Sequence, residues 1–516
     1  MNIHLCFLSI AACVILTPCV RAVEQPQVAV PVAGLSLRDA LTDSLRENPA
    51  VKIQEIVIEQ RSGVLDQISG TFDWNVFASV KDTQRRTPQI SPPALTPTDR
   101  SNNFTYNFGV SRELRNGIII RPHAEVLVKD QHSLSTSSAD GGIASVNFEV
   151  LVPLLRGLGK DSTGAAEAAA RGDAKVAKLL YQHSLAAQAF NTAASYWSSR
   201  AADDSYTVQR DVERAASRLV ESTKVLVDSR IFPPAFLLQA EANFREKRTV
   251  RINAELDARS ARFSLGQALG LPPEQIAQTP APTDSFPPVA ELGSLTTDEA
   301  RTPMIRHALA SRMDYLATVQ SIVPLNILAR QAVIDLKPRI NLTLNAGYQG
   351  LSTTNDAVAP LRERVTGSNG SVGVALDWPF SNSYQRGLLR ERRANIAQVE
   401  AQAVQLSQSI ASDVLLALEQ VRLRADAVRS AKDTVDLSSR ALAAQYAQLK
   451  TGDGTILDVL SLENLSSGAR IRYINAHASY AIAIAQLRFA LGAIFEQKSS
   501  TGTSFSLADL STPPTP

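Results

Sequence analysis

The sequence predicts a mixed α/β membrane protein built from two structural repeats per chain. Amphipathic strands form a transmembrane β-barrel that only an oligomer can close, and very long helices form an α-helical barrel continuous with it. Three observations carry this reading. Leu388 to Thr451 contains no glycine or proline, and its apolar residues return every three or four positions through Ile396, Val399, Ala403, Leu406, Ile410, Val414, Ala417, Val421, Ala425, Val428, Val435, Leu442, Tyr446 and Leu449. That is a coiled-coil seam, and at 1.5 Å per residue the helix is roughly 95 Å long. Second, several segments of about ten residues alternate apolar and polar side chains, the length of a tilted strand across a bilayer. Third, the same order of motifs occurs twice.

Taken in order, residues 5–20 are an apolar run too short for a comfortable membrane span, and Val20-Arg21-Ala22 offers a small-residue cleavage site. Residues 1–22 are therefore expected to be a signal peptide. Cys19 follows Pro18 rather than a small residue, which disfavours a lipidated N-terminus. Leu35 to Glu47 reads as an amphipathic helix, and Asn48-Pro49 as the cap and first position of a second one to about Ser69. Residues 72–81 turn to period 2, and the proline-rich stretch Arg85 to Arg100 is expected to be a surface loop. Phe104, Tyr106, Phe108 and Val110 alternate with polar residues, an Arg115-Asn116-Gly117 turn leads into Ile118 to Lys129, and residues 144–153 alternate again. From Ala165 the chain is helical and alanine-rich to Ile231. Pro233-Pro234 break it, and a further helix runs to Leu269.

Residues 271–303, with seven prolines, are expected to link two repeats, 35–270 and 304–496. Leu238-Gln239-Ala240-Glu241 matches Leu460-Ser461-Leu462-Glu463, and Ala268-Leu269-Gly270 matches Ala490-Leu491-Gly492, both at an offset of 222. Near the start of each repeat, Leu45 before Asn48-Pro49 matches Leu309 before Arg312-Met313 at an offset of 264, so repeat 1 carries about 42 extra residues in its strand region. In repeat 2, strands 340–348 and 371–378 precede the long helix. The Ser/Thr/Pro-rich tail, 497–516, is expected to be disordered.

Composition removes several function classes. With 52 basic and 50 acidic residues the net charge is +2, which argues against nucleic acid as a partner. The three cysteines, Cys6, Cys13 and Cys19, all lie in the signal region, so thiol catalysis and cysteine metal sites drop out of the mature chain. The six histidines are scattered without metal-ligand spacing. No catalytic constellation, cofactor motif or metal set is present, and no enzyme activity is expected. No later segment approaches 18 consecutive apolar residues, so any membrane crossing is by strands.

Two strands per repeat are not a closed sheet, and an open edge is forbidden in hydrocarbon. Leu342, Leu344, Val374, Leu376 and Trp378 are the expected lipid face of the repeat-2 strands, with Trp378 and Trp74 suited to an interfacial belt. Asn341, Thr343, Asn345, Ser371 and Asp377 would face a wet lumen. Ile410 and Val421 mark the helix seam.

The paired repeats, the junctions Val152-Pro153-Leu154-Leu155-Arg156-Gly157 and Asp377-Trp378-Pro379-Phe380, the segment from Gly452 to Glu463 and both Ala-Leu-Gly ends resemble the outer-membrane efflux protein family, the TolC-like channels. The resemblance covers about residues 35–496. It implies a homotrimer in outer-membrane lipid of a Gram-negative bacterium with a periplasmic extension. Such a duct docks a periplasmic membrane-fusion adaptor and an inner-membrane pump, as the exit of a tripartite efflux or type I secretion system. The rival is a secreted or periplasmic coiled-coil structural protein without a pore. Four strands per chain would close a 12-stranded barrel. Because repeat 2 lacks the 103–129 hairpin, that hairpin is expected to project outside rather than widen the barrel to 18 strands.

The resemblance also places the periplasmic gate at the turn holding Gly452 and Gly454. Position by position, Asp458 stands where the family has its first gate aspartate and Ser461 where it has the second. Gly454 and Leu449 occupy the places of the latching arginine and tyrosine, and Ala235 and Phe236 lie opposite in repeat 1. The expectation is one ring of three Asp458 carboxylates rather than a charge-latched closure. Its plain alternative is Asp458 as a first-turn residue favoured by the helix dipole.

Overall fold

A computed structural model describes residues 34–91, 94–132, 141–290, 298–354, 358–362, 365–451, 454–496, 506, 507 and 512. The expected signal peptide lies outside them. The helices are α1 (Leu37–Glu47), α2 (Pro49–Ser69), α3 (Ala165–Asp228), α4 (Pro234–Leu269), α5 (Pro273–Ile276), α6 (Asp298–Ser311), α7 (Met313–Ile334), α8 (Ala359–Arg362), α9 (Ser383–Thr451) and α10 (Ile456–Ala490). The strands are β1 (Asn75–Ser91), β2 (Ala94–Glu113), β3 (Ile119–His132), β4 (Gly141–Pro153), β5 (Arg339–Ser352) and β6 (Thr366–Asp377), with a two-residue pair β7 (Phe495–Glu496) and β8 (Ser506–Leu507).

The long helices form because nothing interrupts them. α9 runs 69 residues, five more than the glycine-free stretch, because Gly387 is tolerated near its start. The seam residues from Ile410 to Val428 are buried against Tyr480, Ile484 and Leu487 of α10 and Met304 and Ala308 of α6. Ile410 and Val421 are 0% and 1% exposed. In α3, 64 residues long, Ala189, Ala193, Tyr196 and Trp197 pack with α1, with Leu265 and Leu269 of α4 and with Ala481 and Ala485 of α10. Small residues at these contacts let the helix axes approach closely, and dispersion contacts then accumulate along the full length.

Both repeats close the same way at their ends. Gly270 (φ +79°) follows α4 and lies against the backbone of Glu47 and Asn48, while Gly492 (φ +70°) follows α10 and lies against Ser311 and Arg312. Only glycine combines this left-handed turn with so close an approach. Asn48 caps α2 by accepting from the Ala50 amide at 2.8 Å and donates to the Ala268 carbonyl at 2.9 Å, which fixes that junction.

The strands form one six-stranded antiparallel meander in the order β1-β2-β3-β4-β5-β6. This corrects two expectations. The Arg85–Arg100 stretch is not a loop, since β1 and β2 continue through it with a register shift between Thr87 and Gln89, where Pro88 sits. An edge strand tolerates proline at such an irregularity because no inner ladder bond is lost. The β2–β3 hairpin does not project beyond the sheet either. It is hydrogen-bonded between β1 and β4 along its length, with Phe108 paired to Ala78 and Ala124, and Ala124 to Val146. Within the segment expected as linker, 271–303, lie α5 and the start of α6, and Ser506–Leu507 of the tail pair with Phe495–Glu496.

Candidate channel and periplasmic tip

The two faces of the sheet differ in chemistry over its central rows, although Leu127, Ile143 and Leu351 lie on the polar side and Asp82 and Arg112 on the apolar one. One row reads Val80, Tyr106, Val126, Ala144, and another Ile120, Val150, Leu344, Val372, all apolar. On the opposite face the row Ser79, Asn107, Glu125, Ser145, Gln349, Gly367 is polar. Period-2 alternation produces this whenever the strands pair in register. Leu342, Leu344, Val374, Leu376 and Trp378 are all on the apolar side of the repeat-2 strands. Val374, Leu376 and Trp378 are 61–68% exposed in the single chain, Leu344 is marginally so and Leu342 is half-buried. At the base of β1, Trp74 is exposed, with the Arg112 guanidinium 5.5 Å from its ring centroid.

Below the sheet, the strand-to-helix junctions are held by polar contacts. Arg156 meets Asp335 at 3.2 Å, Asn382 donates to the Leu336 carbonyl at 3.0 Å, and the Leu154 amide donates to the Ile340 carbonyl at 2.7 Å. The β2–β3 turn has its own socket there. Arg115 donates to both oxygens of Glu167 at the start of α3, at 2.7 and 3.1 Å, and Asn116 accepts from the Gly159 amide at 2.9 Å. The Arg115 hydrogen bond holds the buried Glu167 carboxyl below its ordinary pKa, against the opposing effect of burial.

At the far end the two helical hairpins stop together. Ile456 of α10 is buried with Leu219 of α3 and Ala240 of α4, and Phe236 and Leu460 pack around them. Gly452 lies outside the described residues. Gly454 sits just before α10, where an added Cβ would press on Gln445 and Leu449. Asp458 is exposed and closes a capping box: its amide donates to Thr455 Oγ1 at 3.2 Å, and its Oδ2 accepts from Thr455 Oγ1 at 2.6 Å. Ser461 is exposed three residues further on, and Ala235 and Phe236 open α4 beside them.

Sequence reasoning missed the polar layer just above this tip. The Tyr446 hydroxyl on α9 donates to Glu463 on α10, and Lys247 on α4 donates to Asn464. Burial, reinforced by the Glu463 carboxylate, pushes the Tyr446 pKa up. Tyr446 reads as one more apolar seam residue by spacing, and only the packing of α9 on α10 reveals its acceptor. Among the described residues no group of three or more His, Cys, Asp or Glu side chains is placed to hold a metal, and no helix is long and apolar enough to cross a membrane.

The molecule is thus an antiparallel sheet standing on an elongated body of very long helices. Residues 304–493 match the family model described as outer membrane efflux protein. No curated protein sequence matches the chain. Among solved structures, the outer-membrane channel OprN is 16% identical, with a TM-score of 0.65 over 88% of this chain and 89% of its own. The CmeC outer membrane channel of Campylobacter jejuni is 14% identical, with a TM-score of 0.66 over 90% and 87%. The open state of the MtrE outer membrane channel of Neisseria gonorrhoeae is 16% identical, with a TM-score of 0.61 over 88% and 88%. Residues 304–493 thus carry the outer membrane efflux protein model, and the fold over nearly the whole chain is that of these outer-membrane channels.

Proposed function

We propose that the chain assembles as a homotrimer and serves as the exit duct of a tripartite efflux or type I secretion system, with a periplasmic adaptor and an inner-membrane pump as partners. The observation that carries this is the open sheet. β1 and β6 are its two edges, and with six strands in a meander they run in opposite directions. Unpaired edges are intolerable in hydrocarbon, and antiparallel pairing of β6 with β1 of a neighbouring copy removes them. The apolar face then meets lipid and the polar face lines the lumen, while the α3–α4 and α9–α10 hairpins close the tube below.

Apolar side chains exposed near the ends of those hairpins, Ile231, Leu238 and Leu457, supply a docking surface for an adaptor. At the same level three Asp458 carboxylates form a cation-attracting ring, their side chains oriented by the capping box.

Membrane fractionation tests the reading. The expected result is a detergent-extractable trimer in the outer-membrane fraction. Recovery as a water-soluble protein after cell lysis would overturn it in favour of a coiled-coil structural protein.

A further inference from the structure

Repeat 2 contributes two strands to the sheet and repeat 1 contributes four, and the extra pair sets the calibre of the duct. Given the trimer proposed above, we infer that the outer-membrane barrel has 18 strands rather than 12, and that the β2–β3 hairpin is a pair of lipid-embedded staves. The exit then passes cargo bulkier than a single extended chain, and size selection falls to the helical tube and its tip.

Four features of the sheet converge on this. The hairpin occupies the second and third places in the strand order, so β1 reaches β4 only through it. Its apolar residues continue the neighbouring rows: Tyr106 and Val126 lie between Val80 and Ala144, and Phe108 and Ala124 between Ala78 and Val146. A hairpin standing in water above the membrane has no reason to carry that apolar face, with Phe104, Tyr106 and Phe108 all exposed. Its lower turn is seated at the level of the strand-to-helix junctions. There Arg115 clasps Glu167, and Gly117 (φ +90°) comes so close to the Gly157 carbonyl that no side chain fits. Finally, inserting two strands keeps an even number per copy, so β6 still meets the next β1 antiparallel and closure is preserved.

Barrel diameter grows with strand number. With strands about 4.8 Å apart and tilted by about 40°, 18 strands enclose a backbone diameter of roughly 36 Å and 12 strands roughly 24 Å. Side chains nearly fill an eight-stranded barrel, whereas one of 16–18 strands leaves an aqueous channel. The hairpin also decorates that channel, because Arg121, His123, Glu125 and Lys129 of β3 all project from the polar face, with Arg121 3.8 Å from Glu149 of β4.

Single-particle electron microscopy of the full chain in lipid nanodiscs reads the strand count. Eighteen strands are expected, and a 12-stranded barrel with the hairpin standing above the headgroups overturns the inference while leaving the channel reading intact. A preparation with no trimeric barrel overturns both. A second readout uses Phe108→Cys and Val126→Cys, two outward positions that need not disturb the fold. Both are expected to react with a lipid-soluble maleimide and to resist a membrane-impermeant one added outside the cells. Labelling of either by the impermeant reagent places the hairpin outside the bilayer and sinks the proposal.

Discussion

The two repeats share a helical frame but solve the same interior position in opposite ways. At the offset of 222, Gln188 and Thr192 of α3 correspond to Ile410 and Val414 of α9, and at the earlier offset of 264 Ser44 of α1 corresponds to Ala308 of α6. In repeat 2 these are apolar core residues. In repeat 1 they form a buried polar network: Gln188 Nε2 donates to Ser44 Oγ at 2.9 Å, to Thr192 Oγ1 at 3.2 Å and to the Ala268 carbonyl at 2.8 Å. Ser44 and Thr192 hydroxyls lie 2.7 Å apart. The helix spacing accepts either solution because each is internally complete. An apolar set needs no partners, and a polar set is tolerated when every member has one. The strand regions differ on the same logic: a hairpin added to a meander disturbs neither the faces nor the direction of its neighbours.

That comparison can be broken most severely at Ile410. Ile410→Asp puts a charge into a fully buried apolar cluster, at a cost of about 3–5 kcal/mol. Heat resistance of the trimer should fall sharply while the strands still insert. A variant as heat-resistant as wild type would show that the seam is not buried in the assembly.

The counterpart in repeat 1 should give a smaller and more telling response. Gln188→Ala removes the amide that donates to Ser44, Thr192 and the Ala268 carbonyl and leaves a cavity in its place, for about 1–3 kcal/mol. Transplanting the repeat-2 solution, Ser44→Ala with Gln188→Ile and Thr192→Val, removes the polar groups together and should come within about 1 kcal/mol of wild type. Denaturant unfolding of the two variants compares them directly. A triple variant worse than the single one would mean that the two interiors are not interchangeable.

A still smaller effect separates the strand regions. Glu167 has its folded-state pKa lowered, chiefly by the Arg115 hydrogen bond, so the attachment of the β2–β3 turn is complete above the ordinary carboxylate value of 4.5. It is lost as pH falls through the lower folded value. Hydrogen exchange at residues 114–118 should rise on acidification in wild type, and Glu167→Gln should abolish that pH dependence. No equivalent change is expected at the β5–β6 base.

Asp458→Asn is expected to perturb least. Thr455 still caps α10, so the melting temperature should barely move, whereas cation selectivity in single-channel recordings should drop. Unchanged selectivity and unchanged block by divalent cations would leave Asp458 as a cap and nothing more.

The sequence by itself determined the elements whose cause is local. Freedom from glycine and proline with 3–4 spacing made α9 legible to its last residue and to within five residues of its start, and alternation marked the strand faces, since both follow from backbone periodicity. The duplication was legible from Ala-Leu-Gly at 268–270 and 490–492, whose glycines meet equivalent backbone in both halves. Only the tertiary structure decided where the 103–129 hairpin stands. Alternation says which side chains share a face but not which strand lies beside which, and the prolines at 88, 92, 93 and 97 pointed to a loop where a hairpin extends. The same holds for the Gln188 network and the Tyr446–Glu463 bond. Each depends on which distant helix faces meet, and a polar residue in an apolar seam acquires its meaning only from the partner that burial brings to it.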